Sequence, residues 1–172
     1  MNLLSIDPGY ERMGVAVLQK GTNNKHRLIY SDCWKTSAKL PFNERLLILG
    51  EKLELTIKEH VPSVFAVEKL FFETNQKTAM NVAEVRGMLL YIAGKYKLTI
   101  FEYTPLQIKV AVAGHGKASK NEVMKMTSLL VDLPKKAKSP PRRDPARAGQ
   151  DDEYDAIAVG LTCLAIERFP QQ

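Results

Sequence analysis

No apolar run in this chain approaches the roughly 20 residues needed to cross a bilayer, so no membrane association is expected. Met1-Asn2-Leu3-Leu4 lacks the charged start and long apolar core of a signal peptide, and a cytoplasmic setting is expected. Cysteine is scarce: Cys33 and Cys163 lie far apart, and neither has Cys or His partners at metal-ligand spacing. That argues against a disulfide scaffold or a zinc site and leaves two reduced, packed thiols. No internal repeat is apparent. What remains is 172 residues of ordinary soluble composition, read as a single domain over 1–172 that can bury most of its apolar side chains.

Acidic residues are nearly missing from one stretch. Between Pro134 and Gln150 stand Lys135, Lys136, Lys138, Arg142, Arg143 and Arg147 against Asp144 alone, which is about +5 of the formal +6. The body is therefore close to neutral and carries one basic, Pro-rich segment, expected to be a mobile loop over 134–150. Such an excess points to a polyanionic partner, with nucleic acid the leading candidate.

The elements follow from periodicity and from turn residues. Leu3 to Ile6 is a short apolar run closed by Asp7-Pro8-Gly9, which fits a buried strand better than a helix. Gly14 to Leu18 and Leu28 to Trp34 add two more strands, giving an antiparallel start. Phe42 to Glu59 predicts a helix, with Leu46, Leu47, Leu49, Leu53 and Ile57 at helical spacing and Pro62 beyond its end. Val64 to Val67 reads as a central parallel strand, Thr78 to Tyr96 as a helix, and Leu98 to Phe101 as a fifth strand. Pro105 opens a short helix through Val112, Ser119 caps another to about Val131, and Glu153 to Arg168 forms an apolar last helix. Three strands followed by strand–helix alternation give an α/β fold: a mixed five-stranded sheet with helices on both faces.

Two of the inner strands end in an acid, Asp7 and Glu68. Parallel neighbours would bring both carboxylates out at the same edge of the sheet. A charge there is costly unless something pairs with it; the plainer alternative for Asp7 is a turn cap. The last helix opens Asp151-Asp152-Glu153-Tyr154-Asp155, and Asp152 and Asp155, three apart, share a face. Acids also favour the positive end of a helix dipole, which accounts for Asp151 and Glu153 better than for Asp155. Spacing alone leaves the choice of residues within 151–155 open. Four carboxylates meeting at one edge would repel unless cations were bound. An all-oxygen set without His or Cys suits Mg²⁺, with Mn²⁺ as a substitute, rather than zinc. Two divalent ions roughly 4 Å apart are the arrangement that serves in-line attack on a phosphodiester.

Ile6-Asp7-Pro8-Gly9, Ala66-Val67-Glu68-Lys69-Leu70-Phe71 and Asp152-x-x-Asp155-Ala156-Ile157-Ala158 resemble the RuvC-type Holliday junction resolvases. The likeness extends to Ala83-Glu84-Val85-Arg86-Gly87, Pro105-Leu106-Gln107-Ile108-Lys109 and Gly114-His115-Gly116-Lys117-Ala118-Ser119-Lys120, in the family's order and over nearly the whole chain. It implies an RNase H-like fold and a crossover junction endodeoxyribonuclease. The activity implied is resolution of four-way DNA junctions by paired symmetric nicks in recombination and repair. By the same resemblance Asp7, Glu68, Asp152 and Asp155 are the catalytic, metal-binding carboxylates for two Mg²⁺ ions per site, the family's spacing selecting Asp152 over Asp151. Lys109 and Lys120 match lysines that contact the DNA backbone, and Lys117 and Arg86, in two of the matching segments, are further expected DNA contacts. Phe71 matches an aromatic that stacks on bases, a contact worth on the order of 1–3 kcal/mol per base. The family also implies a homodimer around the helix of Thr78 to Tyr96, a branch-migration helicase complex as partner, and a nucleoid-associated setting.

The segment from Lys135 to Gln150 is longer and more basic than the linker expected of the family, and it is expected to lie along the DNA backbone. Three rival readings are weaker. Another RNase H-like nuclease acting on RNA or branched DNA would share Asp7 and the metals but not the match around Glu68 to Phe71. An actin-like ATPase or sugar kinase needs two lobes and a second phosphate loop. A junction-binding protein without catalysis would have no use for the full set of four acids.

Overall fold

The computed structural model describes residues 1–21, 25–69, 76–132 and 150–169, apart from the side chains of 76–78 and 150. Three strands open the chain: β1 (Asn2–Asp7), β2 (Arg12–Gln19) and β3 (His26–Lys35). β1 and β2 pair antiparallel with Asp7 opposite Gly14, and β2 and β3 continue the meander. Helix α1 (Phe42–His60) then crosses to β4 (Val64–Glu68), and α2 (Gln76–Lys95) leads to β5 (Thr99–Tyr103). β4 is parallel to β1, with Ile6 opposite Val67, and β5 is parallel to β4. Two capped helices follow, α3 (Pro105–Ala113) and α4 (Lys120–Leu130), before a two-residue β6 (Val131–Asp132) and the final α5 (Gln150–Ile166).

The sheet order is β5-β4-β1-β2-β3-β6, six strands where five are expected. The extra strand was not legible because Leu129, Leu130 and Val131 prolong the apolar pattern of α4, while Val131 itself is extended (φ −121°, ψ 136°) and pairs with His26. Two residues are too few to show a period of two. The last helix also begins earlier than its apolar residues suggest: Gln150 and the acids of 151–153 belong to its first turn, and it ends at Ile166 rather than Arg168. The expected loop over 134–150 thus loses Gln150 to the helix, and its remainder lies outside the described residues.

β1 alternates between the two faces. Leu4 and Ile6 point into a core shared with Leu49, Leu53 and Ile57 of α1 and Val85, Leu89 and Ile92 of α2. Leu3 points the other way, towards α5. Of the α1 leucines, Leu47 and Leu55 stand outside the inward stripe, 61 % and 63 % exposed. Residues 156–164 of α5 are all buried, because the helix lies between the sheet on one side and α3 and α4 on the other. Such close stacking requires small residues on the helix and the sheet. A Cβ at Gly160 would meet Leu18 Cδ1 at 2.4 Å and Ser5 Oγ at 2.7 Å, and one at Gly14 would meet the Asp152 carbonyl oxygen at 1.8 Å. Glycine at these two places lets α5 rest directly on β1 and β2.

The helices that flank this stack are fixed by reciprocal caps. Thr104 caps α3 with Pro105 in the first turn and Gln107 closing the box, and Ser119 with Glu122 does the same for α4. Gly114 ends α3 in the left-handed region (φ 83°). The α5 end of the stack is tied as well: the Tyr103 hydroxyl donates to Glu167 Oε1 at 3.0 Å.

Candidate active site

The parallel pairing of Ile6 with Val67 brings the next residues on each strand, Asp7 and Glu68, to the same edge. Lys69 N–H donates to the Tyr103 carbonyl at 2.8 Å, so β4 stays attached to β5 just past Glu68. The first turn of α5 is set over this edge by the contact at Gly14, opposite Asp7. Sheet and helix therefore converge their acids through backbone packing.

The electrostatics reflect that shared edge. Asp7 is held well above the usual carboxylate range, first by burial and then by the charges of Glu68, Asp155 and Asp152, with Lys120 pulling the other way. Glu68 is pushed up to about 7 by burial and by Asp155, against a hydrogen bond with Asp7 and the charge of Lys120. Asp155 is also raised by burial, although its hydrogen bond to Lys120 opposes this. Lys120 Nζ stands 2.9 Å from Asp155 Oδ2 and 3.9 Å from Asp151 Oδ2. Burial works to lower the Lys120 pKa, but its acidic partners outweigh it and the ammonium is stabilised.

Within residues 151–155 the side chains divide. Asp152 and Asp155 act on Asp7, whereas Asp151 lies exposed on the outside of Lys120. Glu153 turns away to β3, accepting from Ser31 Oγ at 2.8 Å. Asp152 has a cation of its own, Arg12 Nε at 3.3 Å from Oδ2, and Cys33 Sγ donates to the same oxygen at 3.5 Å. Burial and the Asp152 charge push the Cys33 thiol up to about 11.

Lys109 joins the site. With Glu68, Lys120 and Asp155 it lines a cavity of about 250 Å³, whose floor is Pro105, Ile108, Val123 and Ala158. Lys117 is exposed in the connection between α3 and α4, and does not line that cavity. Arg86 pairs with Glu102. Glu102 is opposite Val67 in register, so this ion pair belongs to the face of the sheet covered by α1 and α2. Phe71 lies outside the described residues. Arg12 and Cys33 were missed by sequence reasoning: their partner Asp152 is more than a hundred residues away, and only the pairing of Asp7 with Gly14 hints that the start of β2 borders the site.

The donor set suits a hard divalent cation. It is all oxygen, and burial followed by mutual repulsion makes ionisation of Asp7 and Glu68 costly, a cost that a bound cation would offset. Among the described residues no three acids, histidines or cysteines are drawn together closely enough to ligate one ion, and the cations that meet the cluster are the Lys120 ammonium and the Arg12 guanidinium.

Comparison with known proteins gives a consistent picture. Residues 3–163 match the family described as crossover junction endodeoxyribonuclease RuvC. The crossover junction endodeoxyribonuclease RuvC of Desulfitobacterium hafniense (strain DSM 10664 / DCB-2) is 40 % identical over 161 residues, 94 % of this chain and 90 % of that protein. Among solved structures, T. thermophilus RuvC in complex with Holliday junction substrate superposes with a TM-score of 0.83 at 30 % identity, covering 96 % of this chain and 93 % of the other. The yeast mitochondrial Holliday junction resolvase Ydc2 shares the fold at a TM-score of 0.70 and 14 % identity, over 95 % of this chain and 77 % of that one.

Proposed function

The chain belongs to the RuvC family of crossover junction endodeoxyribonucleases, and we propose that it resolves four-way DNA junctions by hydrolysing one phosphodiester in each of two opposed strands. The observation that carries this reading is the pair Asp7 and Glu68 at the ends of adjacent parallel strands, with Asp155 and Asp152 charges acting on Asp7 from α5. Asp7, Glu68, Asp152 and Asp155 would hold two Mg²⁺ ions, or Mn²⁺ in their place. When bound, such ions supply Lewis-acid stabilisation of a phosphoryl centre and a nucleophile available at neutral pH.

The chain's own groups do the rest. Lys109 and Lys120 border the acids from α3 and α4 and would hold the negative phosphate in position, each ammonium favouring the charge that grows on it. Lys117 stands nearby and would extend this basic margin. Phe71 is assigned to stacking on bases, and Arg86, paired with Glu102, is kept as a proposed backbone contact. The 134–150 segment would add salt-dependent affinity along the duplex.

Two symmetric cuts require two sites, which a twofold homodimer provides. Met80 and Tyr91 of α2 are 68 % and 72 % exposed, and with the exposed Gly87 they form one outward stripe at helical spacing. That stripe is the surface we assign to the dimer contact. A branch-migration helicase is the partner this function calls for.

The test is a labelled four-way junction incubated with Mg²⁺ or Mn²⁺, with and without EDTA, beside a linear duplex and an RNA–DNA hybrid. Paired nicks at symmetric positions, abolished by EDTA, are the expected result. Cutting of the hybrid in preference to the junction would overturn the reading.

A further inference from the structure

Arg12 opens β2 at the edge where the acids converge. The turn before it is rigid: Thr36 N–H donates to the Glu11 carbonyl at 3.1 Å, and the buried Arg45 donates through a terminal nitrogen to the Tyr10 carbonyl at 3.1 Å. The Arg45 guanidinium also lies over the Tyr10 ring, 4.7 Å from its centroid. Arg12 precedes Gly14 by two residues, so it projects to the same face of the sheet, the one covered by α5. There its side chain meets Asp152 through Nε at 3.3 Å and remains 50 % exposed.

That ion pair engages the guanidinium on its Nε side. A guanidinium carries five N–H groups in a planar fork, and among the described residues Asp152 is the one acceptor that Arg12 meets. An Arg held by Nε keeps both terminal nitrogens for a second anion, and their spacing matches two oxygens of a phosphate. As a simple half-exposed ion pair the contact would contribute little to stability. Its placement is more informative. Lys109 and Lys120 flank the carboxylates from the α3 and α4 side, and Arg12 flanks them from the β2 side. Any backbone lying over the acids would pass between these cations.

We propose that Arg12 is a phosphate-binding residue of this nuclease: Asp152 anchors its Nε, and its terminal nitrogens grip a DNA backbone phosphate next to the one held by Lys109 and Lys120. The proposal rests on the nuclease reading above and deepens it by placing a second phosphate contact across the site. The guanidinium also accounts for why the acid cluster does not repel the backbone it must receive, since a cation stands on either side of it.

The measurement is the salt dependence of DNA binding in EDTA, made on the Asp7→Asn protein so that binding is separated from cutting. Both a four-way junction and a plain duplex serve as probes, across NaCl concentrations. Adding Arg12→Ala is expected to reduce the slope of log K against log salt by about one and to weaken binding roughly tenfold. Arg12→Lys should keep the slope but recover only part of the affinity, because an ammonium cannot grip in the bidentate manner. A methylphosphonate scan on the strand to be cut should find one neutralised phosphate that weakens the parent and leaves the Arg12→Ala protein unaffected. Superimposable slopes, or no phosphate whose neutralisation Arg12→Ala masks, would overturn the proposal and reduce Arg12 to a support for Asp152. Loss of the parent's preference for junction over duplex would count against the functional reading instead, and the slopes on duplex would still decide for or against Arg12.

Discussion

Gly14→Ala tests whether the site is built by backbone contact between α5 and β2. The added Cβ would lie 1.8 Å from the Asp152 carbonyl oxygen and 2.6 Å from its carbonyl carbon, where ordinary contact begins at 3.4 Å. Relief therefore needs a movement of about 1.6 Å, the difference between 3.4 and 1.8. No side chain can rotate away, because both obstructing atoms are backbone. β2 cannot bend easily, since it is paired along its length with β1 and β3. The first turn of α5 must lift instead, taking Asp152 and Asp155 away from Asp7. Overpacking of this kind costs about 1–3 kcal/mol, which for a chain of this size lowers Tm by about 2–4 °C per kcal/mol. Displacement of reacting groups by about 1 Å can reduce a rate on the order of a hundredfold, so the loss of junction cleavage should exceed what the lost stability explains. Gly94→Ala is the control for stability alone: a Cβ there meets nothing within 4 Å on the exposed side of α2, and helix propensity predicts a gain of about 0.5–1 kcal/mol. Thermal unfolding and single-turnover cleavage of a four-way junction are the two assays. Cleavage within threefold of the unaltered protein, with unchanged Tm, would refute the idea that this contact sets the acids.

Two further outcomes follow from the caps and the charges. Ser119→Ala removes the cap of α4, where Ser119 Oγ accepts from Glu122 N–H at 3.3 Å and Glu122 Oε2 accepts from Ser119 N–H at 2.8 Å; unfolding should show a loss of about 1 kcal/mol, with weaker junction binding because Lys120 is the next residue, and Ser119→Asp should restore both. Asp7→Asn removes a buried carboxylate whose pKa is raised, so in EDTA it should raise Tm at pH 8, with the gain shrinking as pH falls towards 4; a variant less stable than the parent at pH 8 would contradict the charge argument.

The sign behind that pH dependence bears on how much of the site could be read from sequence. A carboxyl whose folded pKa exceeds its unfolded one binds more protons when folded, so it costs stability as pH rises from about 4.5 to about 7 in the case of Glu68. Asp7 and Glu68 could be found because each breaks a local rule: a charge ends an apolar strand. Neighbouring strand order and parallel pairing then followed from the run of elements. Local rules also placed α1, α2, the Pro105 start of α3 and the Ser119 cap of α4, while the Thr104–Gln107 cap of α3 went unread. What escaped were the relations between distant segments. Glu153 looks as available to the site as Asp152, and its rotation to Ser31 depends on where α5 rests on β3. Arg12 carries no pattern of its own until Gly14 brings Asp152 beside it. The two residues of β6 lie within an apolar continuation of α4, and their extended shape comes from pairing with His26 and Arg27.

Repulsion among the acids needs a source of compensating energy, and the packing supplies it at a distance. Residues 156–164 of α5 are buried between the sheet and α3 and α4, so the helix is seated by apolar contact irrespective of what its first turn carries. The helix dipole favours acids at that end, which reduces the penalty for Asp152 and Asp155 but does nothing for the sheet acids. Each helix acid also has its own cation, Arg12 for Asp152 and Lys120 for Asp155. Asp7 and Glu68 repel one another and have only the more distant influence of Lys120, and no cation contacts either directly among the described residues. The uncompensated charge is therefore located on the strands, between two segments that the sheet holds in fixed register. A protein that gained nothing from this arrangement could relieve it with one amide at position 7, as the Asp7→Asn measurement would reveal. On the proposed function, the acid cluster is stability given up locally so that cations have one place to bind.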